Sequence, residues 1–183
     1  MGGAIELKSE VGVGTTVVVK IPFKIGTQDK ISNSPDNPVI LEDYSVEGMR
    51  ALVAEDNELN MEIARCILEE SGMEVTCAAD GKEAVEIFEK SEPDYFGVIY
   101  MDIMMPRLNG LDAARTIREM KRRDAMRVPI IAMSANAFAE DIINSRLAGM
   151  NVHLAKPLDA EKMIVALKQC MADNSDVKLH EDL

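Results

Sequence analysis

From Met49 onward, short apolar runs alternate five times with amphipathic stretches, and this alternation constrains the fold more than any other feature of the chain. Ala51 to Ala54, Val75 to Ala78, Val98 to Met101, Val128 to Met133 and Val152 to Ala155 have the length and apolar character of buried strands. A helix is predicted after each one: Glu58 to Ser71, Gly81 to Lys90, Leu108 to Lys121, Ala137 to Leu147, and a last one capped by Asp159 and running to about Met171. In the first, Leu59, Ile63, Ile67 and Leu68 are read as one face; in the third, Leu111, Ala114, Ile117 and Arg118 fall at helical spacing. Gly72 and Gly149 end the first and fourth. Five successive strand–helix units imply an α/β fold, a doubly wound five-stranded parallel sheet with helices on both faces.

The residues before Met49 have a different character. Ile5 and Leu7 alternate with polar neighbours, Glu10 to Gly14 holds two glycines, and Val17 to Ile21 is β-branched and ends at Pro22. Residues 1–25 therefore read as a β-hairpin, which is marginal by itself in water and is expected either to belong to something larger or to be poorly ordered. Residues 26–48 contain Ser32-Asn33-Ser34-Pro35-Asp36-Asn37-Pro38, with no periodicity and many breakers, and read as a linker. The expected organisation is a hairpin over 1–25, a linker over 26–48, a domain over 49–172 and a tail over 173–183.

Net charge is −12, which opposes nucleic-acid binding, since that needs a basic surface. Three widely spaced cysteines, Cys66, Cys77 and Cys170, suggest neither a disulfide framework nor a zinc site. No apolar run reaches membrane-spanning length and the start is unlike a signal peptide, so a cytoplasmic setting without membrane contact is expected for this segment. The 13 methionines read as core filler in a chain that has no Trp.

In a doubly wound sheet, ligands sit beyond the carboxyl ends of the strands. Those positions hold Glu55 and Asp56 after the first strand, Asp102 after the third, Ser134 and Ala135 after the fourth, and Lys156 with Pro157 after the fifth. Ala79 and Asp80, after the second, lie on the outer side and carry less information. Three carboxylates brought together repel one another unless a cation binds, and hard oxygen ligands suit Mg²⁺ or Mn²⁺. Asp102 can then act as a carboxylate nucleophile toward phosphorus. The cation and Lys156 would screen a phosphoryl group, Ser134 would hydrogen-bond one of its oxygens, and the small Ala135 would leave room for it.

These residues resemble the response-regulator receiver family. Leu52 to Asn60 (LVAEDNELN) is similar to its acidic-pair motif, and Tyr100 to Gly110 (YMDIMMPRLNG) to its phosphoacceptor motif. Ile131 to Ala135 and Leu154 to Pro157 are similar to its last two motifs. The resemblance spans roughly residues 49–172 and implies a flavodoxin-like strand order, 2-1-3-4-5. It implies Mg²⁺ held by Glu55, Asp56, Asp102 and the backbone carbonyl of Met104, with phosphoryl transfer from a phosphohistidine to Asp102. It also makes Ser134 and His153 a switch pair, His153 standing where the family carries an aromatic residue. Glu55 replaces the commoner Asp and Ser134 the commoner Thr. Met104 and Asn136 stand where the family tunes hydrolysis of its acyl phosphate.

The N-terminal piece resembles the end of a histidine-kinase ATPase domain, through Gly2 to Ile5, Ser9 to Thr16 and Ile21-Pro22. The resemblance implies a segment of a hybrid histidine kinase, whose parent would be a transferase, anchored in the inner membrane in some members. The segment lacks the nucleotide-binding asparagine and glycine-rich lid, so no kinase activity of its own is expected. Implied partners are a kinase phosphohistidine domain as donor and a histidine-phosphotransfer protein as acceptor, and a homodimer is compatible. Ile63, Ile67 and Pro157 are candidate contacts for the acceptor, with core packing the favoured role for the two isoleucines. A dehalogenase-type phosphatase would need a second acid two residues after Asp102, where Met104 stands. A DNA-binding output would need more than residues 173–183. An unphosphorylated interaction module would have lost an acid or the lysine, and none is lost.

Overall fold

A computed structural model describes residues 3–10, 12, 14–20, 45–135 and 138–181, the side chains of 173–181 excepted. It divides into two units, residues 1–40 and 41–183. The first holds β1 (Ala4–Glu10) and β2 (Gly14–Lys20), an antiparallel pair in the register Ala4 opposite Lys20. Ile5 faces Val19 and Leu7 faces Val17, which puts these four apolar side chains on one side of the ribbon. The hairpin agrees with its reading from sequence. The expected linker falls mostly outside the described residues, which resume at Ser45.

The second unit contains β3 (Arg50–Ala54), α1 (Glu58–Glu70), β4 (Glu74–Ala78), α2 (Gly81–Lys90), β5 (Val98–Asp102), α3 (Gly110–Glu119), β6 (Ile130–Ser134), α4 (Ala139–Leu147), β7 (Val152–Ala155) and α5 (Ala160–Glu181). The strands form one parallel sheet in the order β4-β3-β5-β6-β7, the order expected above. Because strand side chains alternate, Leu52, Ala54, Ile99 and Met101 enter one layer with Phe88 of α2 and Ile117 of α3. Ala51, Val53, Tyr100, Ile131 and Met133 enter the other, with Ala64 and Leu68 of α1 and Met163 and Leu167 of α5. With both faces covered, the central strands are apolar up to their last residues, Asp102 and Ser134. The buried Tyr100 hydroxyl donates to the Met163 carbonyl at 3.0 Å, which ties β5 to α5.

Three elements differ from the sequence reading. In α1 the buried positions are Ala64 and Leu68, with Met61 and Ile67 half-buried, whereas Leu59 is 69% exposed and Ile63 also faces outward. The run Leu59, Ile63, Ile67 steps by four residues and drifts around the helix; the small Ala64 is what lets the backbone approach the sheet. Helix α3 begins at Gly110 rather than Leu108, because Asn109 accepts the Asp112 amide at 2.9 Å as an N-cap. Helix α5 runs to Glu181, so most of the expected tail is helical. The stretch after Met171 contains neither Gly nor Pro, and polarity alone does not end a helix. The start expected for α4 at Ala137, and the tuning position Asn136, lie outside the described residues. Among those residues no helix is long and apolar enough to cross a membrane.

Candidate functional site

The parallel register builds the site. Ala54 pairs with Met101, Asp102 with Met133, and Ser134 with Ala155. Glu55, Asp102, Ser134 and Lys156 therefore emerge side by side at one edge of the sheet. Glu55 and Asp102 are only 2% and 4% exposed, while Asp56 is open to solvent. One oxygen from each of these three carboxylates lies within 4.8 Å of the others.

Lys156 Nζ donates to Glu55 Oε2 and to Asp102 Oδ2, each at 2.6 Å. Glu55 Oε1 accepts the Asn60 side-chain amide at 3.0 Å, and Asp102 Oδ1 accepts the Met104 backbone amide at 3.1 Å. Burial pulls the Lys156 ammonium downward, but hydrogen bonds and charge from Asp102 and Glu55 outweigh it and hold it above its ordinary value. Three carboxylates against one ammonium leave two negative charges in the cluster. That donor set and that charge fit a hard divalent cation with oxygen ligands.

The loop from Asp102 to Gly110 is held on several sides. The Ile103 amide donates to the Met133 carbonyl at 2.9 Å, and the Gly110 amide returns to the Ile103 carbonyl at 3.0 Å. A Cβ on Gly110 would come within 2.0 Å of the Asp102 carbonyl oxygen, so only glycine allows this approach. Arg107, at φ 61°, forms an ion pair with the buried carboxylate of Asp80. Asp80 also caps α2 through the Glu83 amide at 2.9 Å. Asp80 thus links the β4–α2 turn to the loop that carries Asp102, a role its position after the second strand did not reveal.

On the other side of the cleft, Ser134 is buried and its Oγ lies 2.9 Å from His153 Nε2. His153 Nδ1 lies 3.2 Å from Ser145 Oγ on α4. His153, on the edge strand β7, is therefore half-buried and bridges β6 and α4. Ala135 is exposed at the rim, Met104 is exposed beside Asp102, and Pro157 follows Lys156 through a cis peptide. Asn60 and Ser145 were not singled out from sequence. Asn60 stands in the acidic-pair motif, whereas nothing local marks Ser145.

The family model for the response regulator receiver domain matches residues 51–168. The chain belongs to the response regulator receiver family. Over 68% of its length it resembles the receiver domain of a sensor histidine kinase from Pseudomonas aeruginosa PAO1, with 37% identity, 98% of that chain covered and a TM-score of 0.61. That structure has a magnesium ion coordinated in its active site cleft. The co-crystal structure of the Saccharomyces cerevisiae histidine phosphotransfer protein Ypd1 with the receiver domain of Ssk1 matches at 27% identity and a TM-score of 0.56, covering 64% of this chain and 84% of that one. The aerobic respiration control sensor protein ArcB of Escherichia coli is 31% identical over 171 residues, which is 92% of this chain and 20% of that protein. Among curated relatives the chain spans only 8% to 21% of their length. Several of these relatives are histidine kinases, so this receiver is of the kind found in hybrid histidine kinases of two-component systems.

Proposed function

We propose that this segment is the phosphoacceptor module of a phosphorelay, in which Asp102 takes a phosphoryl group from a kinase phosphohistidine and passes it to a histidine-phosphotransfer partner. The single observation that carries the reading is the pairing of Lys156 with Asp102 and Glu55 beside Asp56. An Asp102 carboxylate oxygen attacks phosphorus, the P–N bond to the donor imidazole breaks, and that nitrogen leaves with its electron pair and takes a proton. The onward step reverses these roles at the partner's imidazole. Glu55, Asp56, Asp102 and the Met104 carbonyl would hold Mg²⁺ or Mn²⁺, which when bound supplies positive charge opposite the phosphoryl oxygens. Lys156 moves from its ion pairs to a phosphoryl oxygen, Ser134 donates to another, and Ala135 leaves the opening clear. His153 responds to Ser134 as the second half of a switch.

The N-terminal hairpin is proposed to be the last part of a kinase ATPase domain, with residues 26–48 as linker. The alignment to ArcB covers 171 residues, more than the receiver match over 51–168 can contain, which supports a shared arrangement upstream of the receiver. A parent kinase anchored in a membrane fits the same reading. The acceptor would dock against the outer face of α1, where Leu59 and Ile63 are exposed, and near Pro157.

The test is intact mass after incubation with Mg²⁺ and acetyl phosphate. A gain of one phosphoryl group, acid-stable, absent without the cation and absent in Asp102→Asn, is the expected result. No gain with acetyl phosphate and none with a phosphorylated histidine-kinase domain would overturn the proposal. In Ser134→Ala, normal phosphorylation with an unchanged shift in partner affinity would remove Ser134 from the switch.

A further inference from the structure

The loop between Asp102 and Gly110 turns at Arg107. The Leu108 amide donates to the Pro106 carbonyl at 2.7 Å, which makes Arg107 the centre of a γ-turn. Its φ of 61° gives this turn the rarer, strained hand, which disfavours any residue that carries a Cβ. Such a conformation persists where surrounding contacts over-determine it. Glycine would adopt it freely, so what arginine adds at this position is its guanidinium. The guanidinium makes an ion pair with Asp80 Oδ2, a buried oxygen that otherwise has no partner among the described residues. Asp80 Oδ1 is already committed to the Glu83 amide at 2.9 Å, and the Glu83 carboxylate accepts the Ala79 amide at 2.8 Å. The turn that carries Asp80 is thus fixed from both sides, and its buried carboxylate draws its compensating charge from the loop.

Beside this pair, α2 meets the loop backbone directly: a Cβ on Gly81 would lie 2.4 Å from the Leu108 carbonyl oxygen. The base of the loop is closed by the Gly110 amide on the Ile103 carbonyl at 3.0 Å, so Arg107 stands at the apex of a closed loop. Within that loop lies Met104, whose amide orients Asp102 Oδ1 and whose carbonyl is a proposed ligand of the cation. We infer that Arg107 and Asp80 are positioning residues for the cation site: their ion pair holds the loop apex so that the Met104 carbonyl and Asp102 stay in register with Glu55 and Asp56. Neither side chain belongs to the carboxylate cluster itself. The inference rests on the receiver reading above, through the part it gives to the Met104 carbonyl.

Titration of the full chain with Mn²⁺, the free ion followed by electron paramagnetic resonance, reads cation affinity without any phosphoryl group. Arg107→Gly suits the turn and removes the pair, while Asp80→Asn keeps an acceptor for the Glu83 amide and removes the charge. Each should bind Mn²⁺ about ten-fold more weakly than wild type, the scale of a lost outer-shell partner. The double variant should be no weaker than either single one, because the two residues act as one pair. Thermal melts without cation accompany each titration, and should Asp80→Asn fail to fold, Arg107→Gly decides. A merely structural pair would lower the melting temperature and leave the Mn²⁺ affinity of the folded protein unchanged. Wild-type affinity in Arg107→Gly, or losses that add in the double variant, would therefore overturn the inference. Failure of wild type to bind Mn²⁺ at all would instead overturn the cation site of the proposed function, and the positioning role with it.

Discussion

Lys156 Nζ lies 2.6 Å from Asp102 Oδ2, across 54 residues of chain, and the same nitrogen lies 2.6 Å from Glu55 Oε2. Removing this ammonium leaves two buried carboxylates facing each other. Lys156→Met should cost about 3 kcal/mol without divalent cations. Mg²⁺ should recover more stability in the variant than in wild type, because the cation then takes over the whole charge. Thermal melts of both proteins with and without Mg²⁺ check this. Lys156→Ala should still accept a phosphoryl group yet bind its partner poorly, and wild-type partner binding by that variant would count against the role. The raised Lys156 value also sets a sign. Its contribution is complete below the unfolded value near 10.5 and is lost as pH rises through the folded one.

Gly110 touches the Asp102 carbonyl so closely that Gly110→Ala must move the loop. The expected loss is about 2 kcal/mol of stability, by overpacking. Phosphorylation by acetyl phosphate should slow at the same time, since Asp102 moves with its own carbonyl. A variant of normal rate and stability would show that the loop yields elsewhere.

Asp124 anchors a second buried pair, with Arg122 Nε 2.7 Å from its Oδ1. The Arg122 hydrogen bonds hold the Asp124 carboxyl at about 2, below its ordinary 3.8. A depressed carboxylate stabilises the fold above its unfolded value and loses that contribution as pH falls through the folded one. Urea unfolding should therefore place Asp124→Asn about 2 kcal/mol below wild type at pH 7. The gap should narrow as pH falls from about 4 toward 2, and a gap that stays constant would contradict the assignment.

The two leucines of α1 separate core from surface. Leu68 is fully buried against the sheet, so Leu68→Ala should cost about 3 kcal/mol. Leu59 faces outward, so Leu59→Ala should change stability by less than about 0.5 kcal/mol. Its effect should instead appear as weaker binding of a histidine-phosphotransfer protein, measured by titration. A large stability loss in Leu59→Ala would return that residue to the core.

Five strand–helix units, their parallel sheet and the functional residues at the strand ends were legible in the sequence, because each rests on a local pattern. Apolar runs mark buried strands, and strand ends place Glu55, Asp102, Ser134 and Lys156 on one edge once the sheet is parallel. The inward face of α1 was not legible, since Leu59 and Leu68 are equally apolar and only packing against the sheet distinguishes them. The end of α5 was missed for a related reason: nothing in residues 172–181 forbids a helix, and polarity is a weak stop. Asp80 with Arg107, and Ser145 with His153, join residues from separate elements. The sequence by itself determined which chemistry could assemble at the edge of the sheet. Only the tertiary structure decided which side chains hold that chemistry in place, because hydrogen bonds between distant segments depend on distances that no local pattern encodes.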